Sequence, residues 1–357
     1  MSIYFGSSFS AGAAFDARRA QKRSLENPVC RAVRDRGKRR KLTCVLHVIS
    51  LIHAGPLVAS LDVARLKEQF VKIAIVTDST CDWALDEFAR RNVEMVPLKI
   101  CFSNESFADQ IEISTDEFYD RMIDAVDLPS TSQPSPHDFA KLFERLAEEG
   151  YEGAVCLHIA LPLSGTPQVA GIAGADAPLD VRVIDTRCAT APLGLMVDAA
   201  CELRDSGASL DDMCEKLVAF RDATRTVLVP DSLDNLVRGG RFPEEAAKQA
   251  SVLNMRMMLT FNEEDGKVGV IGKSKGAKGA IKDTAAFIEN YAAEHGRTRL
   301  RLVHCRNPKA VETLIDTLTK SKVDFEVISI DPCGATIATH LGIGAFGVAM
   351  APAARCE

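Results

Sequence analysis

The fold is decided by the stretch KIAIVTDST at residues 72–80, an apolar run that ends in four polar residues. A continuous apolar run predicts a strand buried on both faces, which is typical of parallel sheets covered by helices. The polar residues 77–80 can cap a following helix, which we predict over residues 83–91. The stretch therefore indicates the first strand–helix unit of an α/β sheet.

The alternation of strands and helices continues as far as residue 224. GAVCLHIA at 153–160 and VRVIDT at 181–186 predict further strands, and VEMVPLKICF at 93–102 predicts one unbroken strand. The stretches with helical patterns are 116–127, 137–150, 166–174, 190–206 and 210–223. We expect a parallel sheet whose ligand binds beyond the carboxyl ends of its strands. The loops at 129–135 and 163–166 should lie at that edge.

The pattern changes after Thr224, where we place a domain boundary. Strands are predicted at 226–230, 255–262 and 267–273, and two of them can pair as a hairpin around Glu264-Asp265-Gly266. A helix at 277–295 and further strands at 300–305 and 325–330 follow. We predict an α/β protein with a parallel-sheet N-terminal domain at 71–224 and a smaller α/β C-terminal domain at 225–357.

Composition narrows the function classes. Apolar residues make up 46% of the 357 residues and charged residues 26%, as in soluble globular proteins. Aromatic residues make up 6% and no basic stripe accompanies them, so no nucleic-acid partner is expected. The eleven cysteines contain no Cys-x-x-Cys pair and the seven histidines are dispersed, so we expect reduced thiols, no metal site and no cofactor.

The first seventy residues differ from the rest in charge. They carry 13 Lys/Arg against 5 Asp/Glu, a net charge of +8, whereas residues 71–357 carry −14. An apolar stretch begins at Leu42, but His47 and His53 interrupt it, and it is short for a membrane span of ~20 residues. We interpret residues 1–70 as a non-native or disordered basic extension, with a signal or anchor as the alternative. We expect a cytoplasmic protein without a stable membrane span that keeps its fold and ligand when residues 1–70 are deleted.

Two hydroxyl-rich loops are candidate anion sites. Thr131-Ser132-Gln133-Pro134-Ser135 precedes a predicted helix, so its hydroxyls can face an anion or simply cap that helix. Leu163-Ser164-Gly165-Thr166 follows a buried strand, and its glycine permits close backbone approach. The second loop matches neither the Gly-x-Ser-x-Gly nucleophile turn nor a Walker loop.

A third candidate is His340, which we expect in a glycine-rich turn before Gly342 and Gly344. An imidazole there can donate an N–H to a carboxylate, although a lone histidine also serves as an ordinary packing residue.

Taken in order, these motifs resemble the DegV family of bacterial fatty-acid-binding proteins. The resemblance runs from Val71 to Gly347, and its motifs are KIAIVTDST-CD, TSQPSP (131–136), LSGT (163–166), VIDT (183–186), LVRGGR (236–241), LTFNEEDGKV (259–268), GKSKG (272–276) and ATHLGIGAFG (338–347).

The resemblance implies a long-chain fatty acid held in a tunnel between the two domains, and we predict that Met255, Met257 and Met258 line that tunnel. It implies that Thr131 or its neighbour Ser132, together with Ser164, Gly165 and His340, binds the carboxylate. Several relatives present the fatty acid to a separate kinase subunit that makes an acyl phosphate from ATP. The chain itself would then carry no catalytic residue.

Some positions depart from the family pattern. Ala160-Leu161-Pro162 replaces small serines, and Pro167 stands where a Tyr is common. The family's Lys-x-Arg-Gly appears as Lys273-Ser274-Lys275-Gly276, and Arg241 is retained. We assign Arg241, Lys273 and Lys275 to a head-group or partner surface.

Two other function classes compete with fatty acid binding. One is a serine-dependent hydrolase or acyl-transfer enzyme that uses Ser164 and His340, which requires a carboxylate to orient the imidazole. The other is a nucleotide-binding module, which the α/β pattern permits although the first loop is not rich in glycine.

Overall fold

The structure is a computed structural model that describes residues 71–125, 127–250 and 255–353, with no account of the Gln249 and Ala250 side chains. The described residues belong to one compact unit, Phe70–Glu357. The predictions for residues 1–70, including the effect of their deletion, lie outside the described residues. The domain boundary at Thr224 stays a prediction.

The described strands are β1 (Ile73–Asp78), β2 (Val93–Val96), β3 (Lys99–Phe102), β4 (Glu105–Ala108), β5 (Ser130–Ser132), β6 (Gly153–Leu157), β7 (Asp180–Ile184), β8 (Arg225–Val229), β9 (Met255–Phe261), β10 (Val268–Lys275), β11 (Thr298–His304), β12 (Phe325–Pro332) and β13 (Phe346–Pro352). The described α-helices are α1 (Leu85–Arg91), α2 (Thr115–Asp124), α3 (Pro136–Glu148), α4 (Thr166–Ala175), α5 (Ala191–Ser206), α6 (Leu210–Ala223), α7 (Asp234–Arg238), α8 (Glu244–Ala250), α9 (Gly276–His295), α10 (Pro308–Ser321) and α11 (Ala335–Leu341). A short 3-10 helix, Ser79–Cys81, follows β1.

The first sheet confirms the predicted parallel α/β architecture. Its strand order is β2-β1-β6-β7, and every pairing in it is parallel. All residues of β1 and β6 are buried, as their continuous apolar patterns predict. The carboxyl end of β1 leads into the 3-10 helix, and the carboxyl end of β6 leads into residues 158–166, which contain the Ser164-Gly165 motif.

The second sheet is mixed, with the strand order β10-β9-β8-β13-β11-β12. The predicted hairpin is confirmed, because β9 and β10 pair antiparallel with Phe261 opposite Val268. Only β11 and β12 pair in parallel within this sheet. Helices α9 and α10 pack on one face, where Ile281, Ile288 and Leu314 join one buried apolar cluster. Helix α5 contacts β8, β11 and β13 of this sheet and also β1 and β6 of the first sheet, so it packs between the two sheets.

The prediction of one strand over residues 93–102 is wrong. β2 pairs with β1 in the parallel sheet, whereas β3 pairs with β4 and β5 in a separate three-stranded antiparallel sheet. Pro97 stands at the break, where it has no N–H to continue a hydrogen-bond ladder. Three residues of the predicted loop at 129–135 form β5 of the same small sheet.

The placement of His340 in a glycine-rich turn is also wrong. His340 lies in the last turn of α11, and the helix ends at Gly342, which has a φ of 83°. The glycine-rich pattern therefore marks the end of the helix rather than the environment of the histidine, since glycine adopts this backbone conformation without steric cost.

Candidate functional site

An apolar cavity of about 290 Å³ lies where residues from both sides of Thr224 meet. Its apolar wall includes Ile159, Ala189, Leu228, Leu259, Phe261 and Leu341. From β9, Leu259 and Phe261 line the cavity. The prediction that Met255, Met257 and Met258 line it is wrong, and Met255 and Met257 border a different cavity. A space lined this way accepts an apolar ligand, because burying each methylene is worth ~0.8 kcal/mol.

Polar groups also line this cavity, and they come from the three sequence motifs. Thr131 and Ser132 lie in β5, Ser164 and Gly165 follow β6, and His340 lies in α11. These motifs are far apart in the chain, yet the fold brings all five residues to one cavity. This convergence is the arrangement that the sequence motifs imply.

Thr131 and His340 are joined directly. The Thr131 Oγ1 atom lies 2.9 Å from His340 Nε2. His340 Nδ1 is buried and has no hydrogen-bond partner among the described residues. Burial of the ring, followed by the charge of Arg241, lowers the pKa of His340 to about 4. The imidazole is therefore neutral at pH 7, with one protonated nitrogen available as a donor.

Ser164 lies at the start of α4, where its hydroxyl is kept in place by Thr166. Ser164 Oγ lies 2.9 Å from Thr166 Oγ1 and accepts from the Thr166 backbone N–H at 3.4 Å. Because Gly165 has no Cβ, the Gln133 side chain can pack closely against it. A Cβ at this position would lie 2.2 Å from Gln133 Oε1. The two hydroxyl loops therefore meet at Gly165 and Gln133.

Arg241 is the cation of this site. Its guanidinium donates to the backbone oxygens of Leu163 at 3.1 Å and Gly239 at 2.5 Å, and burial lowers the pKa of Arg241. No ion pair among the described residues includes Arg241. A half-buried cation without a carboxylate partner is suited to an anionic ligand.

A second, more polar cavity of about 390 Å³ shares part of this wall. It is lined by Thr131, Arg241 and His340 together with Asn235 and Arg238. The Thr131–His340 pair thus borders the apolar cavity and the polar cavity at once. A ligand head group bound at this pair would therefore be accessible to a second molecule that occupies the polar cavity.

Other predicted residues lie elsewhere. Lys273 and Lys275 are exposed on β10 and do not line the apolar cavity. Sequence reasoning missed Gln133, Thr190 and Thr336 as cavity-lining residues. Gln133 stands inside the TSQPS motif and could have been named from it, whereas Thr190 and Thr336 become visible only in the folded chain.

The geometry does not supply a serine nucleophile. The described hydrogen bond of Ser164 Oγ is with Thr166, and that of His340 Nε2 is with Thr131. A hydrolase would need the imidazole next to the serine and a carboxylate on Nδ1. Among the described residues, neither contact occurs.

The described residues contain no group of three or more His, Cys, Asp or Glu side chains that could hold a metal ion. No helix formed by residues 71–125, 127–250 and 255–353 has the length and apolar character needed to cross a bilayer.

The arrangement defines an α/β protein whose parallel-sheet and mixed-sheet parts together line an apolar cavity, and the wall of that cavity also carries hydroxyls and an imidazole. The chain belongs to the DegV family, since the model for an uncharacterised DegV-family protein matches residues 72–353. A DegV domain-containing protein of Clostridium perfringens is 32% identical over 272 residues, which cover 76% of this chain and 95% of that protein.

Solved structures show the same fold. One, described as the fatty acid binding of a DegV family protein from Thermus thermophilus, has a TM-score of 0.73 and 33% identity over 79% of this chain and 99% of that chain. Another, described as DegV, a fatty acid binding protein from Bacillus subtilis, has a TM-score of 0.71 and 27% identity over 79% and 99% of the two chains.

Proposed function

We propose that this protein binds one long-chain fatty acid, with the acyl chain in the apolar cavity and the carboxylate at its polar end. The observation that carries the proposal is the convergence of Thr131, Ser164 and His340 on a cavity whose wall is otherwise mostly apolar. The descriptions of the Thermus thermophilus and Bacillus subtilis relatives as fatty-acid-binding proteins support it.

The two ends of the ligand contribute differently to the free energy of binding. At ~0.8 kcal/mol per buried methylene, the acyl chain supplies most of the affinity. A carboxylate removed from water needs hydrogen-bond donors, since an unpaired buried charge is strongly disfavoured. Thr131, Ser164 and His340 are the proposed donors, with Ser132 and the backbone at Gly165 as neighbours. Arg241 adds a positive charge on the same wall.

We propose further that the bound fatty acid is presented to a separate kinase subunit, which converts the carboxylate to an acyl phosphate. The support is the polar cavity, whose wall includes Thr131 and His340 together with Arg238 and Arg241. Exposed Lys273 and Lys275 are candidates for the partner surface. In this proposal the chain acts in the cytoplasm and carries no catalytic residue or cofactor of its own.

A comparison of head groups tests the binding proposal. We expect the purified protein to bind a long-chain fatty acid with 1:1 stoichiometry in titration calorimetry. The alcohol of equal chain length should bind more weakly, because it lacks the charged acceptor. Equal affinities for acid and alcohol would show that the hydroxyls and His340 do not recognise a carboxylate, and no binding of either would refute the proposal.

The kinase proposal has its own test. With ATP and fatty acid, the protein alone should form no acyl phosphate, whereas addition of a DegV-partner kinase subunit should produce it. Acyl phosphate formed without a partner, or no product with any such subunit, would contradict the presentation role and leave the binding proposal standing.

A further inference from the structure

The helix that carries His340 begins without a cap of its own. The residue before α11 is Gly334, which has no side chain to accept from the free N–H groups of the first turn. Two carboxyl groups from distant parts of the chain take this place. Asp82 Oδ1 accepts from the Gly334 N–H at 2.9 Å, and Asp109 Oδ2 accepts from the Thr336 N–H at 3.2 Å.

The same two carboxyl groups bind hydroxyls of the cavity wall. Asp109 Oδ2 accepts from Thr336 Oγ1 at 2.6 Å, and Asp82 Oδ2 accepts from Thr190 Oγ1 at 2.5 Å. Thr190 and Thr336 both line the apolar cavity. Thr190 has a φ of 58° and a ψ of −134°, a strained conformation for a β-branched residue that persists only where its surroundings hold it.

These two carboxyl groups are buried, which disfavours their charged form. Asp82 and Asp109 are 4% and 0% exposed, and neither forms an ion pair among the described residues. Burial raises the pKa of both groups. Because a buried carboxyl group without a cation opposes folding, hydrogen bonds to α11 and Thr190 must offset part of that cost.

The position of His340 depends on these anchors for a geometric reason. α11 has seven residues, too few to be stable as an isolated helix. Thr336 and His340 are four residues apart, so they lie on the same face of the helix, one turn from each other. A shift at Thr336 is therefore transmitted to the imidazole and to its bond with Thr131.

We propose that Asp82 and Asp109 are positioning residues that fix His340 against Thr131 and against the head group of the ligand. They act by capping α11 from outside and by holding Thr336 and Thr190 on the cavity wall. The inference deepens the proposed function and rests on it only where the ligand is concerned, because the orientation of His340 can be measured without ligand.

The test uses three substitutions and one control. Thr336→Val removes the hydroxyl that binds Asp109 and keeps the side-chain shape, Asp109→Asn removes the charge, and Thr336→Ser restores the hydroxyl. Thr226→Val is the control, because Thr226 is equally buried and its hydroxyl donates to the Val348 oxygen at 2.8 Å, away from the cavity lining. Each variant is titrated with a long-chain fatty acid and with the alcohol of equal length.

We expect Thr336→Val and Asp109→Asn to weaken fatty acid binding about tenfold and alcohol binding less than twofold, since the loss falls on the charged head group. Thr336→Ser should bind like the wild type. Thr226→Val should unfold at a lower temperature with both affinities unchanged. Equal losses for acid and alcohol, or no loss in either variant, would overturn the positioning role.

A ligand-free measurement separates this inference from the proposed function. The NMR titration of the His340 imidazole should move from a pKa of about 4 toward ordinary values in Thr336→Val and stay in place in Thr226→Val. If the wild type bound no fatty acid, the proposed function would fail, yet this shift would still support the anchoring of His340. An unchanged titration of His340 in Thr336→Val would refute the anchoring of His340 by Asp109.

Discussion

Replacing Thr131 with Val removes one hydroxyl and keeps the β-branched shape. In the wild type, Thr131 Oγ1 lies 2.9 Å from His340 Nε2, and His340 Nδ1 already has no described partner. The variant therefore leaves both imidazole nitrogens without a protein partner. A buried polar group left unsatisfied costs ~1–3 kcal/mol in folding free energy. We expect the lower end of that range, because water in the polar cavity can reach the imidazole and replace the lost hydrogen bond.

The effect on ligand binding is larger. Loss of one hydroxyl donor to a carboxylate costs ~1.5–3 kcal/mol, which is roughly ten- to hundredfold in affinity. The acyl chain remains buried, so Thr131→Val should bind fatty acid weakly rather than not at all. Ser164→Ala should lose a similar factor, because Ser164 is the second donor in the proposed site and comes from the other loop.

Titration calorimetry with one fatty acid measures these affinities, and thermal unfolding reports the stability of each variant. Thr131→Ser is the matched control, since it keeps the hydroxyl and should bind within about threefold of the wild type. Wild-type affinity in both Thr131→Val and Ser164→Ala would refute the assignment of these hydroxyls to the carboxylate.

Three further predictions concern charge and cavity shape. His340 has a folded pKa of about 4 against an unfolded value of ~6.5, so the unfolded chain binds more protons between these values. Its contribution to the unfolding free energy should therefore fall as pH drops from ~6.5 toward 4, and His340→Gln should flatten the measured profile in that window. Arg241→Gln removes a charge that lowers the pKa of His340, so the imidazole should titrate at higher pH by NMR. Ala189→Phe should fill the cavity and abolish fatty acid binding while circular dichroism stays unchanged; retained affinity would place the acyl chain elsewhere.

Local patterns predicted the parts of the fold that local sequence controls. The apolar runs of β1 and β6 and the turn at Glu264-Asp265-Gly266 were sufficient for the parallel sheet and the hairpin. The break at Pro97 was missed because apolar residues flank it on both sides. The two strands that it separates, β2 and β3, differ in the strands with which they pair, and the local sequence does not show this difference.

The site was predictable to the extent that each residue stands in a motif. Thr131, Ser164 and His340 were named as candidates in this way, and the fold brings them to one cavity. The roles of Asp82 and Asp109 were not predictable, because each acts on α11 across more than two hundred residues. Such contacts depend on how the sheets assemble rather than on local spacing.

The most direct test of fatty acid binding is native mass spectrometry of the purified protein, before and after extraction with organic solvent. We predict a mass shift equal to one long-chain fatty acid per chain, which disappears on extraction and returns when the acid is added back. A nucleotide-sized shift, or a chain that stays unliganded after incubation with fatty acids of several lengths, would contradict the proposed function.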